Sequence, residues 1–282
     1  MAYIDLLLHI DSYPKPTPPA AIEEAIRVGA SLGGKLTGLA IEVDIPVHSN
    51  RVADYLIGLS KMAEEEEARS HNACQEGLAH FKEKATEAGV FQTTILARVN
   101  HYEVADHVAR LARTHDLCIL PLVGGFDGQM EVADSVVFSS GRPVLVFRVG
   151  DAGGLASGPD LVVVAWDGSR CAARAMADAL PILIRAQRVR LLTVLNDNPR
   201  AVAHVAEAAK RHLQMHGVTA SIDEFDAAGD GIGVAFDRYI KQHKPDLLVM
   251  GGYGHSRARE FLLGGATEHA LRTPTCPVLL SH

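Results

Sequence analysis

The sequence predicts an α/β protein built from two tandem, doubly wound, five-stranded parallel-sheet domains. Three observations carry this. Short apolar runs alternate with helical patterns along the whole chain. The run Leu6-Leu7-Leu8-His9-Ile10-Asp11-Ser12 is echoed by Leu161-Val162-Val163-Val164-Ala165-Trp166-Asp167-Gly168-Ser169. Each half closes on a proline-led strand, Pro143-Val144-Leu145-Val146-Phe147 and Pro277-Val278-Leu279-Leu280. Alternating strands and helices imply a parallel sheet with right-handed crossovers and helices on both faces.

At 282 residues the chain suits two domains of about 140 residues each. They are placed at 1–149 and 160–282. Gly150, Gly153, Gly154 and Gly158 in the join read as a flexible linker. In the first half, strand 6–10 leads into an alanine-rich helical pattern over 20–32, and Leu117-Cys118-Ile119-Leu120 forms a later strand. In the second half, strands are expected near 161–166, 188–195, 218–224, 246–251 and 277–281, and helices near 170–185, 199–216, 231–243 and 264–272.

The halves differ in two places. Asp11 to Asp116 spans 105 residues, whereas Asp167 to Asp246 spans 79. The excess falls around 45–87 and includes Glu64-Glu65-Glu66-Glu67, read as a long helix with a solvated acidic face. Conversely, Asp116 to Pro143 spans 27 residues against 31 from Asp246 to Pro277. That deficit falls where the second half carries its glycine-rich turn.

Composition excludes several classes. A net charge of −7 argues against non-specific nucleic-acid or membrane binding. Cys74, Cys118, Cys171 and Cys276 are far apart and read as reduced, buried thiols of a cytoplasmic protein. The N-terminus reads as a first strand and not a signal peptide. No run approaches the ~18 apolar residues of a membrane helix.

The strongest motif follows the apolar run Leu247-Leu248-Val249-Met250. It is Gly251-x2-Gly254-x9-Gly264, with a helix expected to open at Gly264-Gly265. Glycines allow close backbone approach, and free N–H groups at a helix start suit phosphate. His255, Ser256, Arg257 and Arg259 are the polar groups of the loop; an arginine there is either a phosphate partner or a solvated side chain.

This spacing resembles the nucleotide-binding signature of the universal stress protein family, Gly-x2-Gly-x9-Gly-(Ser/Thr), with Gly265 in the Ser/Thr place. The resemblance implies an adenine nucleotide alpha hydrolase-like fold, with the two halves packed as a pseudo-dimer through their last strands. It also implies ATP or AMP in the second half, with Mg²⁺ as a candidate companion of the phosphates. Gly251, Gly254, Gly264 and Gly265 would cradle phosphate, with His255, Arg257 and Thr267 nearby. Asp167 would contact the nucleoside, and Val194 the base. For Asp167 the competing reading is a helix N-cap, and for Val194 ordinary core. Asp11, without a phosphate loop, reads as a cap.

No general base or arginine finger is evident, so the expected role is regulatory stress response with at most weak hydrolysis. A non-nucleotide interaction protein is the alternative. A protein partner and a homodimer are left open. Gly229-x-Gly231-x-Gly233 lacks a dinucleotide fingerprint and reads as a turn leading into a helix. His212 and His216 read as a solvated helix face, since no third ligand completes a metal site.

Overall fold

In a computed structural model the structure describes residues 2–47, 58–124, 127–195, 206–252, 265–272 and 274–282. The strands are β1 (Asp5–Ile10), β2 (Lys35–Asp44), β3 (Phe91–Asn100), β4 (Leu117–Leu122), β5 (Val144–Arg148), β6 (Leu161–Ala165), β7 (Arg188–Leu195), β8 (Ala220–Asp226), β9 (Leu247–Gly251) and β10 (Val278–Ser281). The helices are α1 (Pro19–Leu32), α2 (Leu59–Glu87), α3 (Val104–Ala112), α4 (Asp127–Ser139), α5 (Gly153–Ser157), α6 (Arg170–Leu183), α7 (Glu207–Met215), α8 (Ile232–His243) and α9 (Gly265–Arg272).

All ten strands join one sheet in the order β3-β2-β1-β4-β5-β10-β9-β6-β7-β8. Each half is therefore parallel with the same internal order. The halves meet where β5 and β10 run antiparallel, pairing Val146 with Val278 and Val144 with Leu280. The expected pairing of last strands is thus present, and it leaves neither strand as an open edge.

Alternation along each strand sends side chains to opposite faces. On β1, Leu6, Leu8 and Ile10 join one core with α1, α2, α5, α6 and α7. Leu7 joins the other with α3, α4, α8 and α9. Both cores run across the two halves, so the sheet is covered on both faces, which explains its continuous apolar runs.

The long insertion forms α2, which buries Ser70, Cys74, Leu78, Phe81 and Ala85. Phe81 lies against the sheet at Gly38, where an added Cβ would stand 2.4 Å from its ring. Glu64 and Glu65 are solvated as expected. Glu67 differs: it accepts a hydrogen bond from the Ile45 N–H at 2.9 Å and one from Arg98 at 3.0 Å.

The join is not a flexible linker. Residues 153–157 form α5, and Ala152 and Leu155 are fully buried. Glu24, 3 % exposed on α1, accepts hydrogen bonds from the Gly150 N–H (2.7 Å) and the Ala152 N–H (2.8 Å). A buried carboxylate with two backbone donors is a docking device, because its desolvation is offset only in this arrangement.

The repeated Asp116 and Asp246 also have a structural reason. Asp116 accepts from the Ile4 and Asp5 N–H groups at 2.8 and 3.0 Å. Asp246 accepts from Asp160 and Leu161 at 2.7 and 3.0 Å. Each clamps the start of its half's first strand. All four cysteines are buried. Burial pushes the Cys118 and Cys276 thiols up to about 12, so they stay protonated and inert.

Candidate functional site

Strand order reverses on either side of β6 in the second half and of β1 in the first. In open α/β sheets such a reversal opens a crevice beyond the strands' carboxyl ends. In the second half, β6 pairs with β7 through Ala165–Leu192 and with β9 through Val164–Val249. Asp167, Val194 and Gly251 therefore converge at the carboxyl ends of three adjacent strands. Gly254, His255, Arg257 and Gly264 lie outside the described residues.

Asp167 is exposed and braces the turn: its Oδ1 accepts from the Ser169 N–H at 2.9 Å. The helix cap is Ser169, whose Oγ accepts from the Ala172 N–H at 3.1 Å. Asp167 thus supports the cap without being it. Val194 is 8 % exposed on β7 and belongs to the core. Thr267 is buried in the first turn of α9.

Gly251 has a packing role that spacing alone did not reveal. A Cβ there would lie 2.5 Å from the Cys171 carbonyl carbon and 2.6 Å from the Ala172 nitrogen. These are backbone atoms of the α6 N-terminus, so β9 and α6 touch only because residue 251 has no side chain. Gly265 is the opposite case: among the described residues nothing lies within 4 Å of an added Cβ. Gly233 lets α8 pass under His269 of α9, at 2.5 Å from a notional Cβ. Gly231 is the α8 N-cap. The rings of His212 and His216 lie edge to face at 4.8 Å, and no cluster of three metal-binding groups exists among the described residues.

The first half aligns by register. His9 pairs with Leu39 as Ala165 pairs with Leu192, and Leu8 with Ile119 as Val164 with Val249. Asp11 then corresponds to Asp167, Ile41 to Val194, and Pro121 to Gly251. Only residues 123–126 separate β4 from α4, whereas 252–264 separate β9 from α9.

Gln129, in the first turns of α4, spans this short connection. Its Oε1 accepts from the Val123 N–H (2.9 Å), and its Nε2 donates to Asp11 Oδ2 (2.6 Å) and the Pro121 carbonyl (3.3 Å). A backbone donor at the strand end is therefore already satisfied. Asp11 is not the α1 cap, since Pro18 holds that position with no side-chain hydrogen bond. No motif marks Gln129 in the sequence; the shortened spacing was the available signal.

Beside Gln129 lies a cleft of about 310 Å³ whose lining includes His9, Asp11, Ile41, His101, Glu131 and Val132. His9 is 2 % exposed, with Nδ1 3.5 Å from Asp11 Oδ1. Burial pulls its pKa down, and Asp11 opposes this in part. A histidine harder to protonate when folded lets the unfolded chain bind more protons. Its contribution is therefore full above the unfolded value of about 6.5 and is lost as pH falls from there through the lower folded value. His9→Asn is expected to reduce the acid-side slope of stability against pH by up to about 1.4 kcal/mol per pH unit. Denaturant titrations from neutral to mildly acidic pH read this, and equal slopes would refute it.

Comparison with known proteins agrees with this architecture. The model of the universal stress protein family matches residues 160–282. A universal stress protein of Synechocystis sp. is 33% identical over 84 residues, covering 30% of this chain and 28% of that protein. The matched segment thus spans under a third of that relative's length. A universal stress protein structure from Archaeoglobus fulgidus superposes with a TM-score of 0.64 at 16% identity, covering 98% of this chain and 97% of that one. A functionally unknown protein from Pseudomonas aeruginosa superposes at 0.58 with 15% identity, covering 99% and 92%. Residues 160–282 thus carry a universal stress protein family domain, and the first half repeats its strand order.

Proposed function

We propose that the chain is a cytoplasmic stress-response protein that binds one adenine nucleotide, ATP or AMP, in its second half and regulates without strong catalysis. The observation that carries this is the asymmetry of the two crevices. The glycine-rich segment exists once, between β9 and α9, and at the equivalent place in the first half Gln129 occupies the strand-end donor. Gly251, Gly254, Gly264 and Gly265 would present backbone N–H groups to phosphate, aided by the start of α9. His255, Arg257 and Thr267 belong to the same segment, with Asp167 and Val194 on the nucleoside side. Mg²⁺ would accompany a triphosphate. The signature names no general base, so slow turnover is expected.

One test is direct: denature the freshly purified protein and analyse the supernatant for adenine nucleotide. Release of about one equivalent supports the reading. A second reading, a partner-binding regulator without nucleotide, is favoured by Gly265 standing where the family signature has a hydroxyl. Its expected result is no release and no ATP binding.

Two substitutions grade the site. Gly254→Val should weaken ATP binding at least tenfold by placing a side chain against the phosphates, and unchanged affinity would sink the assignment. Gly265→Ser should tighten binding about fivefold, the worth of one added net hydrogen bond. Its side chain would meet no atom of the described residues within 4 Å. Calorimetry showing equal or looser binding would refute this.

A further inference from the structure

We propose that the free edge of β3 is an interface for a second copy of this chain, whose own β3 pairs with it antiparallel so that two ten-stranded sheets become one. The proposal does not depend on the nucleotide reading of the second half. β3 and β8 are the two ends of the sheet, and no strand among the described residues lies beyond either. Each turns a row of backbone N–H and C=O groups outward, which is a template for another strand. The two ends are defended differently. β8 carries Asp223, Glu224 and Asp226 within seven residues, and like charges set opposite each other repel. β3 runs for ten residues with no lysine or proline, and Arg98 is its one charged side chain. That side chain reaches back over its own sheet to Asp44 and Glu67, both at 3.0 Å. The bulge in the β2–β3 pairing falls at the start of the strand; from Thr37–Thr93 to Asp44–Asn100 the register is unbroken. Most of β3 is therefore a straight edge without the usual protection.

Burial along β3 fits a strand as the occupant. Ile95, Ala97 and Val99 are only partly buried where they pack on the core shared with α3 and α4. On the opposite face Leu96 is 43 % exposed. A helix or loop would cover one of these faces, whereas a strand laid alongside extends both at once. Charge and symmetry then select a second copy. The chain already joins the equivalent end strands of its two halves antiparallel, at β5 and β10. Two identical strands paired antiparallel share a two-fold axis normal to the sheet, and the assembly closes as a dimer. Pairing β3 with β8 of another copy would instead be head-to-tail and open-ended, and would set an apolar strand against an acidic one. With Leu96 on the axis it meets Leu96 of the second copy, Ile95 lies opposite Ala97, and Arg98 lies opposite Thr94. Apolar groups then meet apolar groups, and no like charges stand directly opposite.

The test uses the full chain. Sedimentation equilibrium from micromolar to millimolar concentration reads the mass, and hydrogen exchange over the same range locates the contact. The expected result is a monomer–dimer equilibrium in which amides of residues 91–100 exchange more slowly as concentration rises, while those of residues 220–226 do not change. Leu96→Lys places two ammonium groups at the axis and should raise the dissociation constant at least tenfold, with the circular dichroism of the folded chain retained. Thr93→Lys, at an exposed position on the other face of β3, should do the same and stands as the test if Leu96→Lys does not fold. Glu224→Lys on β8 should leave the dimer intact. The proposal is overturned by a monomer throughout, by assemblies that grow past two copies, by a dimer without slower exchange in β3, or by folded β3 variants that dimerise as well as the natural chain.

Discussion

Gly251→Ala is expected to destabilise the protein by about 3 kcal/mol, the upper end of ordinary overpacking. The added methyl would meet Cys171 and Ala172 backbone atoms at 2.5 and 2.6 Å. A flexible side chain at such a distance swings aside, but helix backbone moves only with its whole element. Relief therefore requires α6 to lift from the end of β9, opening packing around the buried Cys171 and Met176. Gly265→Ala is the matched control, because its methyl meets nothing within 4 Å among the described residues. Denaturant unfolding without ligand separates two explanations of Gly251. A glycine kept only for close ligand approach would tolerate alanine in the ligand-free protein. A cost below about 0.5 kcal/mol would contradict the packing account.

Glu24→Ala should cost about 3 kcal/mol and open the junction between the halves. Hydrogen bonds to a charged group contribute about 1.5–3 kcal/mol each, and the Gly150 bond is partly exposed and worth less. Removing the carboxylate also orphans the Ala152 N–H, which is fully buried. Undocking of α5 would then expose Leu155 and free the Leu155 carbonyl that Ser31 Oγ bonds at 3.0 Å. Limited proteolysis provides a local readout: residues 149–159 should resist cleavage in the natural chain and become the first site cut in the variant. Glu24→Gln should fall between them, since one amide oxygen accepts without full charge. Equal resistance in all three would show that the carboxylate does not hold the junction.

Both predictions concern residues whose roles are set by partners distant in sequence, which explains why the sequence was only partly legible. The repeat was plain because each half opens on the same strand-and-turn pattern and closes on Pro-Val-Leu. The β5–β10 pairing was what the family resemblance implied for those two closing strands. The acidic run marked α2, yet did not show that Glu67 bridges to Ile45 and Arg98, because periodicity locates a face and not its cross-strand neighbours.

At the candidate site, Gly251 was found by spacing and Asp167 and Val194 by the family resemblance, and all three lie at adjacent strand ends. Spacing could not separate a glycine needed by a ligand from one needed by a helix, and Gly251 is needed by the helix whatever it does for a ligand. Gln129 had no motif to announce it; an amide becomes a plug only when a shortened connection brings α4 over the end of β4. Glu24 did leave a trace. It lies three residues after Ala21 and four before Val28, on the buried face of α1, where a carboxylate needs partners.

The account rests on the two crevices having diverged, so that one binds nucleotide and the other does not. Calorimetric titration of ATP into the full, nucleotide-stripped chain tests this most directly. The predicted result is one site per chain, lost in Gly254→Val and retained in Gln129→Ala. Two sites per chain, or a single site that survives Gly254→Val, would contradict it.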